Sequence, residues 1–455
     1  MRNVGSKPSI RKIPPLALFF DTIQQMASAK RSSKKALVEH TSLPNGLKII
    51  TERIPSVRSA SVGIWVASGS RREAEAESGI SHFIEHMLFK GTTSRSAEKI
   101  AREVDSIGGN LDAFTSRELV SFNTKVLDEH IGRAWDVLAD LVSNPMFREE
   151  DITKEKSVIL EEIKMDADNP EYVAHEMFSK SFWKGQAIGR PILGNPKTVK
   201  SFNQTQLRQF FDRVYTPKNI VVTAAGQLKH DQIVKMVEKS FGSVKRKGNL
   251  SDIEVANPQA GITLKDKQSL EQAHIILGVP SYAMPHARRF DCYVLSTILG
   301  GGMSARLFQN IREKHGLAYS VFSELNMYRD AGCLAVYAGA SANTVPKVIE
   351  LILAEFKSLK NEAVSVEELR RAKDNLKGSL MLGLESTSSR MANLARQEIF
   401  FQRFISMDEM LDNIEAVTAE QVMAVANRFL KKENITLAVL GPIGNLKLTR
   451  ADLAC

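Results

Sequence analysis

Cysteine is nearly absent from this chain. Three residues, Cys292, Cys333 and Cys455, are scattered through 455 positions. They cannot build a disulfide framework, and their spacing is not that of a cysteine zinc site. Long apolar runs are missing too: no stretch of 18 or more apolar residues occurs, which argues against a membrane-spanning helix. Leu16–Phe20 is shorter than the roughly 7–15 residues of a signal-peptide core. The glycine-rich run Gly300-Gly-Gly-Met-Ser-Ala-Arg306 lacks the Gly-Lys-Ser/Thr ending of a phosphate loop. No nucleic-acid recognition motif or aromatic-interleaved basic patch appears.

Charge is the apparent excess. The formal balance is +9, which by itself points to an acidic partner. Its distribution removes that reading. Residues 1–35 carry eight bases and one acid, a net of +7, so the other 420 residues carry only +2. The basic element is a tail, 1–38, with scattered Ser and Pro and no sustained period. It fits an organelle transit peptide loosely and a disordered arm equally well. A true start at Met26 is a third reading. A cytoplasmic location is the expectation, with the mitochondrial matrix as the alternative if the tail is a transit peptide.

The body repeats itself. Gln206-Leu-Arg-Gln-Phe-Phe-Asp-Arg213 leads to Asn219-Ile-Val-Val-Thr-Ala-Ala-Gly226, and Gln421-Val-Met-Ala-Val-Ala-Asn-Arg428 leads to Asn434-Ile-Thr-Leu-Ala-Val-Leu-Gly441. Gln, Arg, Asn and Gly recur at a constant offset of 215. Helix Glu129–Val142 pairs with Val345–Leu359, and Asp151–Met165 with Val366–Leu380. Expected strands, alternating or rich in β-branched residues, include Ser59–Ala67, Leu119–Leu127, Ile220–Ala225, Ala273–Pro280, Cys333–Ala338 and Ile435–Leu440. A polar segment holding Lys245-Arg-Lys-Gly-Asn and Asn257-Pro258 separates the copies. The expected organisation is therefore α+β: two homologous domains, 39–245 and 263–450, joined by a linker, 246–262. Each is expected to be a largely antiparallel sheet packed with helices.

Chemistry concentrates in His82-Phe-Ile-Glu-His86. On a helix starting near Gly79, with Ser78 as N-cap, the two histidines lie one turn apart on one face. Both imidazoles can then reach one cation, and imidazole suits zinc. Glu85 stands beside them as a carboxylate able to move a proton. Chance supplies roughly 0.01 such matches in a chain this long. Helix Asp151–Met165 carries Glu155 and Glu162, seven apart and so on one face, with apolar Val158 and Ile159 between them. A metal would explain carboxylates on a face with buried residues, and a solvated acidic stripe including Glu161 would not require one.

The inverted motif His82-Phe-Ile-Glu-His86, with its surroundings from Ser78 to Thr92, resembles the β-subunit of mitochondrial processing peptidase and its bacterial relatives in the pitrilysin/insulin-degrading-enzyme superfamily, the inverzincins. In that family a glutamate 76 positions after the second histidine completes the zinc site, and here that position is Glu162. The resemblance implies one zinc per chain on His82, His86 and Glu162, Glu85 as general base, and Glu155 as an auxiliary catalytic carboxylate. Gly108–Glu118 resembles the family's strand beside the active site, implying substrate pairing around Asn110 and Ala113 by β-augmentation. The family often has Asn where this chain has Asp112. Arg312 and Tyr319 match an Arg/Tyr pair, seven apart, that holds the substrate carbonyl and its oxyanion.

The implied function is a zinc metalloendopeptidase acting on short or unfolded polypeptides, working as a homodimer or with a related zinc-free subunit. A non-catalytic partner subunit is the alternative. Glu162 maps onto Lys377 or Ser379 in the second copy, and Glu155 onto Arg370 or Ala372. Zinc is thus expected only in the first half.

Overall fold

The central strands of both halves are buried along their whole length. Ser59–Val66 is buried at every position but its first, and Ile220–Gly226 and Gly332–Ala340 throughout. Burial on both faces explains their nearly continuous apolar sequence, where a one-sided strand would alternate. A computed structural model describes residues 37–246, 248 and 253–455. The tail reading, with its Met26 start, lies outside the described residues apart from its last two positions, as do residues 247 and 249–252 of the expected linker.

The first sheet contains Leu37–Ser42 (β1), Lys48–Arg53 (β2), Ser59–Val66 (β3), Asn110–Thr115 (β4), Val120–Leu127 (β5) and Ile220–Gly226 (β6), in the order β1-β2-β6-β3-β5-β4. The second contains Gly261–Asp266 (β7), Ala273–Ser281 (β8), Ala318–Met327 (β9), Gly332–Ala340 (β10) and Thr436–Gly441 (β11), in the order β7-β11-β8-β10-β9. Omitting β1, the two orders are the same. β2–β6 and β7–β11 are parallel. The pairs β6–β3–β5–β4 and β11–β8–β10–β9 are antiparallel. The chain is α+β and consists of two homologous domains. β1 begins at Leu37, inside the segment read as tail, and β7 begins at Gly261, inside the segment read as linker. Buried Leu453 extends the second core past 450.

Helices of the first half are Ile80–Leu88 (α1), Ala97–Asp105 (α2), Ile131–Ser143 (α3), Glu149–Asp168 (α4), Pro170–Phe182 (α5), Pro196–Ser201 (α6), Gln204–Val214 (α7) and His230–Phe241 (α8). Those of the second are Arg289–Gly300 (α9), Val345–Asn361 (α10), Val366–Gly383 (α11), Thr387–Phe401 (α12), Met407–Glu415 (α13) and Ala419–Phe429 (α14). The repeat is literal at its end, since α7 and α14 correspond at the 215-residue offset.

One pairing is not in the sequence patterns, which assign no helix to α5 or α12. Each packs on the sheet of the other half. Phe178, Phe182 and Trp183 of the first half meet Ile276, Tyr337 and Leu440. Met391, Leu394 and Ile399 of α12 meet Ile50, Trp65 and Val221. The exchange covers the second face of each sheet.

Polar ties accompany it. Lys48 pairs with Glu398 at 2.6 Å, and Thr223 Oγ1 donates to the Met391 carbonyl at 3.0 Å. Buried Arg71 donates to Glu118 at 2.8 Å and to both oxygens of Asp330 at 2.6 Å, and the Arg329 amide also donates to Glu118. Removing one partner from such a buried network strands the others' charge, at a cost of about 3–5 kcal/mol. Arg71→Ala is therefore expected to lower the thermal midpoint of unfolding markedly. An unchanged midpoint would show that this network does not hold the halves together.

Candidate metal centre

The α1 helix presents the histidines because its other face is apolar. Phe83, Met87 and Leu88 are buried in the first core, as a helix against a sheet requires, and Phe89 is partly buried. Its start is not capped as expected. Gly79, at φ 94°, is the N-cap, and Ser78 makes no side-chain capping bond. A Cβ on Gly79 would stand 2.5 Å from the Leu193 carbonyl oxygen, so the position has no room for one. Buried Glu73 supplies the cap instead, accepting from the amides of Gly79 at 2.8 Å and Ser81 at 2.9 Å. Burial pushes its carboxyl up to about 7, against those two hydrogen bonds and Arg190. Nothing in local spacing marks Glu73. It stands six residues before the Gly79 amide it satisfies.

Three side chains from α1 and α4 converge. Glu162 Oε2 lies 3.7 Å from His82 Nε2 and 3.6 Å from His86 Nε2. One ligand atom from each of the three fits within a mutual 4.8 Å. Tetrahedral ligands at about 2.0–2.2 Å from zinc sit roughly 3.3–3.6 Å apart, so the arrangement fits that ion. Glu162 Oε2 is buried with no hydrogen-bond partner among the described residues. Burial, then neighbouring His86, pushes His82 down to about 3. A neutral imidazole is what metal ligation requires. Two nitrogens and one carboxylate oxygen form a donor set suited to zinc with an open position.

The neighbouring carboxylates differ. Glu155 is buried and accepts from His86 Nδ1 at 3.1 Å, with Lys90 Nζ at 2.7 Å on its other oxygen. Burial alone would raise its pKa, but His86 and Lys90 hold it below the usual range. Burial raises Glu85, whose Oε2 accepts from Thr115 Oγ1 at 2.5 Å. Thr115 lies within the Gly108–Glu118 segment, but the motif gives it no role. Between Glu155 and Glu162 the expected apolar face is only half present: Ile159 is buried, while Val158 is 49% exposed. Val158 lies on the same side by helical period, so its exposure is set by what packs against α4.

Asn110 and Ala113 lie on β4, the edge strand of the first sheet. Asn110 is exposed and Ala113 half-buried. The Asp112 carboxylate accepts from the Ala113 amide at 3.0 Å. Arg312 and Tyr319 come together in the second half. Arg312, on a π-helical turn Phe308–Lys314, stacks over Phe308 at 4.7 Å and Tyr319 at 5.2 Å. Its ion pair is with adjacent Glu313, and Tyr319 is 77% exposed. No hydrogen bond or ion pair joins either residue to the His82–His86–Glu162 group. Among the described residues that group is the one cluster of three or more such side chains close enough to hold an ion.

Duplicated α+β halves with a single His-His-Glu cluster define a two-repeat, one-site scaffold, the plan of the pitrilysin superfamily. Residues 48–196 match the family model for insulinase (peptidase family M16), and residues 201–376 match that for the peptidase M16 inactive domain. An uncharacterized zinc protease of Bacillus subtilis, YmxG, is 42% identical over 411 residues, 90% of this chain and all of the relative. One from Mycobacterium leprae is 40% identical over 423 residues, 92% of this chain and 95% of its own. A protease structure from Helicobacter pylori superposes with a TM-score of 0.84 at 22% identity, over 90% of this chain and all of that one. A chain of complex III2 from Candida albicans superposes at 0.81 and 20% identity, over 92% of this chain and all of that one. Those two likenesses concern the fold. The chain belongs to the insulinase family, peptidase family M16.

Proposed function

We propose that this chain is a zinc metalloendopeptidase of the processing-peptidase type, acting on short or unfolded polypeptides. The observation that carries this reading is the convergence of His82, His86 and Glu162, with Glu85 beside them on the same helix and tied to the edge strand through Thr115. The relatives described as zinc proteases match along nearly the whole chain, which supports it. Zinc held by His82, His86 and Glu162 would polarise the scissile carbonyl and acidify the attacking water.

The chain's own residues supply the rest. A substrate pairs along β4 as an added strand, past Asn110 and Ala113, and its main chain competes with Asp112 for the Ala113 amide. Glu85 takes the proton from the water and passes it to the leaving amine. Glu155 holds His86 so that Nε2 faces Glu162. Glu155→Gln is expected to weaken zinc binding about 10–100-fold in competition against a metal-chelating dye. Unaltered affinity would remove Glu155 from that role.

Arg312 and Tyr319 offer donors to the developing oxyanion. Their contacts here lie within the second half. In our reading they serve the site of a second chain, in a homodimer or a heterodimer with a related zinc-free subunit. Full activity from a strictly monomeric species on dilution would refute that arrangement. The proposed activity itself is tested on purified protein. One zinc per chain and peptide cleavage abolished by 1,10-phenanthroline and restored by zinc are expected. Cleavage that persists in the chelator counts against a metallopeptidase. The absence of both zinc and cleavage favours a non-catalytic partner subunit. Among the described residues no helix is long and apolar enough to cross a membrane.

A further inference from the structure

Four helices of the second half, α9, α11, α12 and α13, line a partly open pocket of about 260 Å³. Its wall is mostly apolar, with Leu376 and Leu380 from α11, Phe400 and Phe401 from α12 and Ile414 from α13. Two arginines also line it, buried Arg289 and exposed Arg396. Arg289 is 8% exposed. Its guanidinium donates to the His286 carbonyl at 3.2 Å, and its charge rests over the rings of Phe290 at 4.4 Å and Phe401 at 4.7 Å.

A buried arginine ordinarily has a carboxylate partner, because an isolated buried charge is costly. No carboxylate among the described residues lies within ion-pair distance of Arg289; Arg396, at the same pocket, is exposed. The acid whose charge reaches Arg289, Glu409, is itself engaged: it holds Arg403 through both oxygens, at 2.6 and 2.9 Å. Burial accordingly pulls Arg289 below its ordinary pKa. Tyr293 also lines the cavity, and its hydroxyl reaches the Met284 sulfur at 3.8 Å, a weak acceptor. The space thus combines an apolar body with one buried cation, Arg289, that has no ion-paired carboxylate, and a hydroxyl that lacks a strong partner.

We propose that this cavity is a binding site for a small amphipathic carboxylate, an acyl chain whose carboxylate pairs with Arg289 and whose tail lies against Leu376, Leu380 and Phe400. The charge is complementary, because the ligand supplies the anion that the protein does not. The size is compatible. An apolar cavity of roughly 150 Å³ already admits a benzene-sized molecule, and a cavity of about 260 Å³ holds a short acyl chain. Nothing in this site touches the metal centre, so it stands or falls apart from the peptidase reading.

Octanoate is the probe, titrated calorimetrically into the full chain, with octan-1-ol as the uncharged counterpart. Octanoate is expected to bind at least about tenfold more tightly than octan-1-ol, about 1.4 kcal/mol, and to raise the thermal midpoint. Arg289→Met should remove that preference while leaving octan-1-ol binding unchanged. Leu380→Trp, which fills the cavity and keeps both arginines, should abolish binding of either probe, and it serves as the test if the first variant fails to fold. No octanoate binding, equal affinity for the two probes, or undiminished octanoate binding in Leu380→Trp would overturn the proposal.

Discussion

Glu85→Gln is expected to lower kcat for peptide hydrolysis by roughly 10²–10⁴-fold, the usual contribution of a general base, with zinc content unchanged. The substitution keeps the shape and the Thr115 hydrogen bond, because the glutamine amide can present its oxygen to that hydroxyl. It removes only the ability to accept a proton. Glu85 is suited to that task because burial raises its proton affinity, so the carboxylate takes up a proton more readily than an exposed one. The Glu162 and Asp112 charges add to the same direction, and Thr115 and His86 oppose it. KM should change little, since substrate pairing runs through the β4 backbone. A variant with intact zinc and full turnover would show that Glu85 is not the base.

Glu162→Gln is expected to act on the metal. Its loss of zinc should exceed the roughly 10–100-fold typical of groups that only orient a ligand, and cleavage should disappear with the ion. The physical reason is charge. A histidine binds a metal through a neutral imidazole nitrogen, so Glu162 would supply the only anionic atom of the three. Its Oε2 is buried without another partner, so the neutral amide would trade the one oxygen aimed between the two Nε2 atoms for a weaker ligand. Metal analysis after dialysis reads the effect directly. Zinc retained at one per chain would mean that another group completes the site.

Much of this site was legible because helical geometry is local. A four-residue spacing places His82 and His86 on one face wherever the helix lies, and a seven-residue spacing does the same for Glu155 and Glu162. The strands were legible for a related reason. Burial of β3, β6 and β10 on both faces selects long apolar runs, and the observed strand ends fall within one or two residues of those expected. The edge strands β1 and β7 were missed because a partly exposed strand needs no such run, and β2, buried at four of its six positions, was missed as well.

Other features depend on partners far away in the chain. Ser78 looks like a cap, but the αL turn at Gly79 leaves the cap to Glu73, whose carboxylate reaches two buried amides. Val158 reads as part of a buried face, yet the packing of α4 turns it to solvent. The roles of Thr115 and Arg71 come from contacts 30 and 259 residues distant. Arg312 and Tyr319 were found through resemblance, and the structure joins them by stacking without bringing either to the metal group.

By itself the sequence determined which side chains can ligate, that the architecture is duplicated, and that the His-His-Glu pattern occurs in only one copy, with Lys377 or Ser379 where the other has Glu162. Those properties depend on residue identity and on helix and strand periods, which act over a few residues. Tertiary structure alone decided that Glu162 reaches His82 and His86, that Glu73 caps their helix, and that α5 and α12 exchange sheets. A sheet with one covered face leaves the other to be buried by whichever helix fits, and that choice is made by packing between segments hundreds of residues apart.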